Sequence, residues 1–338
     1  MTVHDPRTAD GGPSKWTWLA WVAFFFAWLF VIHGVGMVLH EVVGHGLAYT
    51  ILARGVDGFD LTYFGGGVMR PAPWPGPVWP WRSLAILGWS GLAVTLSAGA
   101  VAMAFQRRAG LTPLGRLLLA LFATHILLSG LWYATAGGYH MVMDPAFAAA
   151  ILEVHGLHVL AWLPPLVLYA AAALYGARRI VDAFREHFGS RTRLHMLKQS
   201  TATLGVAEIS RFVAYRIEAA IRTDMDATNL AAAAERQAAA IQGSPWQPVH
   251  RFPIQWVLLV IAVAAFVLAL ARPVRRREGA DDAAPGKIPR QYAVGVAVAA
   301  LGCAIAITVL GHVRRTPPAE PVLVVPPQPL RVTKQGAQ

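Results

Sequence analysis

The first long apolar stretch of the chain, residues 16–53, sets the first limit on its fold. It contains no Lys or Arg, and its one acidic residue is Glu41. About 20 apolar residues are enough for a helix to cross the hydrocarbon core of a bilayer. The stretch therefore predicts a first membrane-spanning helix that continues past the membrane boundary. Trp16, Trp18 and Trp21 at its start are typical of an aromatic belt at one interface, so the other end of the run is expected at the opposite interface.

The composition of the whole chain agrees with a membrane protein. Of its 338 residues, 56% are hydrophobic and 14% charged, which is typical of a polytopic membrane protein rather than a water-soluble one. The net charge of +11 comes from Lys and Arg between apolar runs, where they set topology and contact anionic headgroups. We therefore expect the lipid bilayer as a partner and no nucleic acid. Cys303 is the single cysteine, so no disulfide framework is predicted.

The apolar runs predict an all-α fold with about six membrane-spanning helices. They cover residues 16–53, 84–105, 117–136, 157–177, 254–271 and 292–310. Between the first two, short runs bounded by Gly and Pro at residues 55–70 predict a small β-element at the membrane surface. We expect five regions: a disordered lead at 1–15, a four-span core at 16–177, an amphipathic or soluble helical segment at 178–252, two further spans within 253–312, and a Pro-rich disordered tail at 313–338. The expected location is the cell membrane, with multiple crossings.

The motif that carries chemistry is His40-Glu41-Val42-Val43-Gly44-His45. An ionisable side chain in bilayer hydrocarbon costs roughly 2.5 to 3.5 kcal/mol on insertion scales, and its default role is functional. In the zincin motif H-E-x-x-H, both histidines lie on one helical face and the Glu is the general base. Here the second histidine comes five residues after the first, about 140° around an ideal helix.

A local distortion reconciles this spacing with a metal site. A π-bulge, with i to i+5 bonding, absorbs one additional residue and occurs mostly at functional sites. Gly44 makes the crowded backbone there easier to form. The motif therefore predicts a metal site on a locally distorted helix. The alternative is a set of interfacial polar groups that water and headgroups solvate without a metal.

A second polar cluster follows the third apolar run and contains His140 and Asp144. The first and third spans run in the same direction, so both clusters reach the same side of the membrane. A catalytic zinc takes three protein ligands and keeps one position open, and two imidazoles with one carboxylate form a standard set. From the residues alone, His140 and Asp144 are both candidates for the third ligand.

The first motif is similar to two known zinc families. In its six positions alone it resembles the H-E-x-x-G-H motif of the dipeptidyl peptidase III family. The flanking Leu39 and Gly46 extend a likeness to the site-2 protease family of intramembrane zinc metalloproteases. Met143-Asp144-Pro145 resembles that family's L-D-G setting, with proline in place of glycine. Residues 88–93 occupy the place of its G-P-x-x-N segment but lack the proline and the asparagine.

The site-2 protease resemblance covers roughly residues 16–176 and implies a function. It implies that His40, His45 and Asp144 hold Zn2+, and that Glu41 is the catalytic base that passes a water proton to the leaving amine. The implied substrate is an unwound segment of a membrane protein, presented along an edge of the β-element. Two alternatives remain: a non-catalytic scaffold or transporter related to such proteases, and a zinc-dependent membrane lipid hydrolase.

The charged residues leave the orientation open. The link between the third and fourth runs has no Lys or Arg, whereas the link between the fifth and sixth is rich in them. In a six-span chain both links lie on the same side, so one of them violates the positive-inside rule. The site-2 protease family generally faces the zinc end of its first helix toward the cytosol.

Overall fold

The structure is a computed structural model that describes residues 15–52, 56–64, 66–71, 81–106, 108, 110–141, 144–189, 193–221, 252–272 and 288–311. Over these residues the protein is a helical bundle with one small β-hairpin, as predicted. Six helices are long and apolar enough to cross a membrane. The chain is therefore a multi-pass integral membrane protein.

In chain order the described elements are α1 (Lys15–Met37), a first π-helical segment (Val38–Gly46), α2 (Leu47–Leu52), β1 (Val56–Leu61), β2 (Gly67–Pro71), α3 (Trp81–Phe105), α4 (Pro113–His140), α5 (Ala146–Val154), α6 (Val159–Phe188), α7 (Arg193–Ser200), a second π-helical segment (Thr201–Gly205), α8 (Val206–Ile221), α9 (Ile254–Ala271) and α10 (Arg290–Gly311).

The bundle has two ends, which we call upper and lower. The upper end holds the first π-helical segment, the end of α4 and the start of α6. There the His158 ring donates from Nε2 to the Gly138 carbonyl over 2.8 Å. The lower end holds the start of α1 and the end of α6, where the rings of Trp21 and Phe188 have centroids 5.0 Å apart. α1, α3, α4 and α6 alternate in direction between these two ends, whereas α9 runs in the same direction as α6.

Aromatic residues pack the lower end of the bundle, and small residues allow close helix contacts elsewhere. The lower end is filled by a buried cluster of Trp21, Phe25 and Phe184. Glycines allow close helix contacts elsewhere, as expected where packing rather than hydrophobicity drives helix association. A Cβ on Gly176 would lie 2.5 Å from the Thr124 side chain. Gly138 contacts the backbone of the facing α6 just as closely.

Two boundaries differ from the sequence expectation. The fourth span does not end at residue 177: α6 continues to Phe188. Its last turns keep an apolar face, with Phe184 and Phe188 buried against Trp21, although charged residues occupy the other faces. Residues 146–156 are not only a link, because α5 forms within them over Ala146–Val154.

The predicted β-element is an antiparallel hairpin at the upper end. β1 pairs with β2 in a register that places Phe59 opposite Met69 and Leu61 opposite Gly67. Leu61 is buried in a cluster with Phe30 and with Ile307 of α10. Since β1 is covered by α10, β2 is the strand that faces the first π-helical segment.

Candidate metal centre

The first π-helical segment confirms the distortion predicted from the motif spacing. Residues Val38–Gly46 form a π-helix between the α-helical turns of α1 and α2. The wider turn brings His40 and His45 onto one face, with their Nε2 atoms 3.2 Å apart. Gly44 has a second reason to be glycine. It contacts the backbone of Gly91 in α3 so closely that no side chain would fit between them.

Asp144 completes the cluster from a different part of the chain. Its Oδ2 lies 3.2 Å from Nε2 of His40 and 3.0 Å from Nε2 of His45. α4 ends at Met141, whose left-handed conformation (φ 56°) turns the chain and directs its N–H to the Gly137 carbonyl. The carboxylate thereby returns over the first π-helical segment.

The three ligand atoms have the spacing that a tetrahedral ion requires. Bonds of about 2.0 to 2.1 Å around a tetrahedral zinc place neighbouring ligand atoms about 3.3 Å apart. The three distances in the cluster are 3.0, 3.2 and 3.2 Å, and within the described residues these side chains form a group that could hold a metal ion. Three protein ligands leave a fourth position for water or substrate.

His140, the competing candidate for the third ligand, lies elsewhere. Its ring contacts Tyr139, with centroids 5.0 Å apart. Its Nε2 is buried and has no hydrogen-bond partner among the described residues. The structure therefore brings Asp144, and not His140, to the two histidines of the motif.

Backbone and hydroxyl groups of α3 orient the two imidazoles. Nδ1 of His45 donates to the Leu87 carbonyl over 2.8 Å, so its Nε2 carries the lone pair. Nδ1 of His40 lies 3.4 Å from the Thr95 hydroxyl, which itself donates to the Gly91 carbonyl and can accept from the ring. Both histidines thus present Nε2 as a ligand atom. Such partners fix the tautomer of metal-binding histidines.

This arrangement suits a positive charge at its centre. Two imidazole lone pairs and a carboxylate oxygen lie within 3.2 Å of one another, and they repel unless a metal ion or a shared proton lies among them. Burial alone would raise the pKa of the Asp144 carboxyl. Where no metal ion lies among them, a proton on Nε2 of His40 or His45 is donated to Asp144, and this interaction outweighs burial and holds the pKa of the carboxyl well below its usual range.

Tyr133 is a residue of the centre that sequence reasoning missed. Its hydroxyl donates to Oδ2 of Asp144 over 3.1 Å, and its ring packs against His40 with centroids 5.5 Å apart. Gly91 was missed as well. A Cβ there would lie 2.8 Å from Nε2 of His45 and 2.9 Å from Nε2 of His40. The spacing of Gly88, Gly91 and Thr95, by three and then four residues, places them on one helical face and is the sequence signal for this contact.

Glu41 lies beside the cluster and against the hairpin. It is buried, and its Oε2 accepts a hydrogen bond from the Met69 amide of β2 over 3.0 Å. Gly67 of the same strand packs against it, because a Cβ there would lie 2.9 Å from Cγ of Glu41. The predicted base is thus fixed between the metal ligands and a strand edge.

A cavity of about 230 Å³ opens next to Glu41 and His40. Its walls come from α1, the hairpin, α3 and α4. His33 and His125 also line it but lie outside the His40, His45 and Asp144 group. Gly34, the neighbour of His33, lies at a close helix contact, because a Cβ there would lie 3.3 Å from Cys303 of α10.

Comparison with protein-family models, with curated proteins and with solved structures gives no match to this chain.

Proposed function

We propose that the protein is an intramembrane zinc metallopeptidase, similar to site-2 proteases, that hydrolyses peptide bonds in or near transmembrane segments of other proteins. The observation that carries the proposal is the convergence of His40, His45 and Asp144 at tetrahedral ligand spacing, with Glu41 buried beside them. The likeness of the motif and its flanks to that protease family supports it. Zn2+ is the metal that this donor set favours, because two imidazoles and a carboxylate recur at catalytic zinc sites.

Each residue of the site has its own role in the proposed hydrolysis. A zinc ion held by the three ligands would supply Lewis acidity, which lowers the pKa of a water molecule to about 7 and polarises a carbonyl. Glu41 takes the proton of the attacking water and returns it to the leaving amine. The Met69 amide holds that carboxylate in place through its hydrogen bond. Leu87 and Thr95 keep the imidazoles in the tautomer that binds metal.

The edge of β2 supplies a place for the substrate backbone. Met69 directs its amide toward Glu41 rather than toward β1, and strand alternation directs the backbone groups of Gly67 to the same side. The Met69 amide is already bonded to Glu41, so an extended peptide that adds to this edge pairs with the Met69 carbonyl and with the backbone of Gly67. Such pairing satisfies backbone polar groups of the peptide, which is required at membrane depth. Pro71 ends the edge because it has no amide to donate. The cavity beside Glu41 then takes a side chain of the bound segment.

Metal analysis of the detergent-purified protein tests the centre. We expect about one zinc per chain by mass spectrometry, lost in His40→Ala, His45→Ala and Asp144→Ala. His155→Ala is the matched control, because His155 is exposed on the turn after α5 and lies outside the cluster. A wild-type protein that binds no zinc even when zinc is supplied would overturn the proposal.

Activity assays separate catalysis from metal binding. Glu41→Gln should keep its zinc and lose about 100-fold or more in cleavage of single-span membrane substrates in liposomes, the usual contribution of a general base. Lipid turnover in the same liposomes identifies the alternative lipid hydrolase. Full cleavage by the Glu41→Gln variant would contradict the role of this carboxylate.

A further inference from the structure

The structure contains a helix that joins the two ends of the bundle but is too polar to be counted among the six apolar spans. α7, the second π-helical segment and α8 follow one another without a break over residues 193–221. At 1.5 Å per residue they reach about 40 Å, more than the thickness of the hydrocarbon core. The sequence expectation for this region was an amphipathic helix on the membrane or against the core.

Contacts at its two ends show that this helix runs along α1 from the lower to the upper end. Near its start Met196, and at its middle Ala207, are buried in the cluster that contains Trp21 and Phe188. Near its finish, both carboxylate oxygens of Glu218 accept backbone amides of the hairpin turn, from Tyr63 and Phe64, each over 2.7 Å. A helix lying flat on one membrane surface could not make both contacts.

The side chains of α8 suit a position in the membrane. Its outward face carries exposed apolar residues. Because no other described element covers this face, these residues would contact lipid in a membrane. They are Ile209, Phe212, Val213, Ile217 and Ile221. The charges in its middle are paired, since the Arg211 guanidinium donates to both oxygens of Glu208 over 2.9 and 2.5 Å. Arg216 lies near the upper end, within reach of an interface.

We propose that residues 193–221 cross the membrane as a seventh span, and that the metal centre at the upper end faces away from the cytoplasm. Resting on the proposed function, this assigns as substrates those membrane proteins that present an extended segment on the non-cytoplasmic side. The seventh crossing returns the chain to the upper end before α9, whose start packs there through Leu258 and Leu131. α9 then ends at the lower end, where Arg185 donates to the Leu270 carbonyl over 3.2 Å.

With the seventh crossing included, most basic residues lie at the lower end of the bundle. α10 begins at the lower end, where the Tyr292 hydroxyl bonds to Thr112 before α4, so the basic link between α9 and α10 joins two lower ends. The lower helix ends and the links between them carry Arg107, Arg108, Arg116, Arg178, Arg179, Arg185, Arg191, Arg193, Lys198, Arg272, Arg275, Arg276, Arg277, Lys287 and Arg290. The upper link at residues 141–158 has no Lys or Arg. The upper end also carries basic residues, namely Arg54, Arg70, Arg82, Arg222, Arg236, Arg251, Arg314 and Arg315. They are fewer than those at the lower end, so the positive-inside rule favours a cytoplasmic lower end.

Cysteine accessibility decides between six and seven crossings without reference to activity. Four single-cysteine variants, Arg108→Cys, His155→Cys, Ser244→Cys and Glu278→Cys, are made in a Cys303→Ala background and checked for a monodisperse detergent-solubilised form. Intact cells are treated with a membrane-impermeant maleimide before and after permeabilisation. Seven crossings predict that the cysteines at positions 155 and 244 are both labelled from outside, whereas those at positions 108 and 278 react only after permeabilisation.

Each other pattern overturns a definite part of the proposal. If position 244 behaves like 108 and position 278 like 155, the chain has six crossings and residues 193–221 do not cross. If 155 and 244 are both protected while 108 and 278 are labelled from outside, the seventh span holds and the orientation is reversed.

Two mirrored single-span substrates then test the substrate class. Each carries an extended, tagged segment on one side of the membrane. Cleavage of the substrate whose segment lies outside the cytoplasm, and not of its mirror image, is the expected result. If the labelling pattern is as expected but neither substrate is cut, the peptidase proposal fails and the topology stands.

Discussion

At the scale of single residues, Gly91 decides whether the two imidazoles can meet. It lies on the face of α3 that packs against the first π-helical segment, and a Cβ there would lie within 2.9 Å of both ligand nitrogens. Real Cβ atoms do not approach ring nitrogens so closely, so His40 and His45 would have to move apart. The glycine is therefore part of the metal centre although it contributes no ligand.

Gly91→Ala should lower zinc affinity by at least about ten-fold, the size of effect that supporting residues have on metal sites. The measurement is zinc affinity by competition with a chelator, together with helix content. Gly302→Ala is the matched control, since Gly302 lies in the apolar helix α10 and a Cβ there meets nothing within 4 Å. Equal affinity in both variants would mean that the ligands do not converge as described.

The sequence indicated the ligands of the centre but not the residues that hold them. His40, His45, Glu41 and Asp144 were predicted because ionisable groups in an apolar run are rare and stand out. Tyr133 and Thr95 do not stand out, because in membrane helices such residues usually pack or bond to their own backbone. The Thr95 hydroxyl bonds to the backbone carbonyl of Gly91 and also lies beside Nδ1 of His40. These partners become visible only in the structure, which shows which faces of α3 and α4 point toward the metal centre.

At the scale of secondary structure, the first π-helical segment is an insertion that the flanking helices absorb. Val43 lies on its exposed side, with 40% of its surface accessible, whereas His45 and Gly46 face the bundle. One additional residue in a wide turn leaves the register of the helix on either side unchanged. Removing it should restore an ordinary α-helical turn with the histidines four residues apart, which also converge.

Deletion of Val43 should therefore retain about one zinc per chain, because H-E-x-x-H on a regular helix presents both imidazoles on one face. The control is deletion of Ala93, an exposed residue of α3 between Gly91 and Thr95. α3 is a regular helix there, so the deletion rotates the rest of it by about 100° and removes Thr95 from His40. Loss of zinc in both variants would show that the π-helical turn itself is required.

Hydropathy identified the apolar helices well and the polar helix poorly. α9 and α10 have the predicted bounds within two residues, because both lie on the outside of the bundle and are apolar on nearly every face. Residues 178–252 were assigned to an amphipathic or soluble segment because charged residues such as Arg211 lie opposite an apolar face. The charged residues of α8 are Glu208, Arg211, Arg216 and Glu218. Three of these side chains have partners in the structure, and sequence hydropathy does not register that pairing.

At the scale of the whole molecule, polar groups are collected at the upper end and aromatic packing at the lower end. The metal centre, the hairpin and Glu218 share the upper end, and α8 joins the hairpin to the body of the bundle. α10 covers the other strand of the hairpin through Leu61 and Ile307. α8 and α10, which are both distant along the chain from the motif, thus hold the hairpin beside Glu41.

The ion pair of Glu208 and Arg211 reports where α8 lies, because the stability effect of breaking a pair depends on the surrounding solvent. If α8 crosses the membrane, Arg211→Leu leaves Glu208 unpaired in a low-dielectric region, and the loss should be about 3 to 5 kcal/mol, as for buried pairs. The double variant Glu208→Leu with Arg211→Leu removes both charges. It should recover most of that loss, because apolar replacements of buried pairs are often neutral or stabilising.

The pair of Arg116 and Glu186 at the lower end is the internal control for this comparison. Its atoms are 3.0 Å apart, and 41% of the Arg116 side chain is exposed. Breaking a solvent-exposed pair costs only about 0 to 1 kcal/mol, so Arg116→Leu should fall in that small range. Thermal unfolding of the wild type and the three variants in lipid nanodiscs gives the comparison. Equal, small shifts for Arg211→Leu and Arg116→Leu would place α8 in water and remove the seventh span.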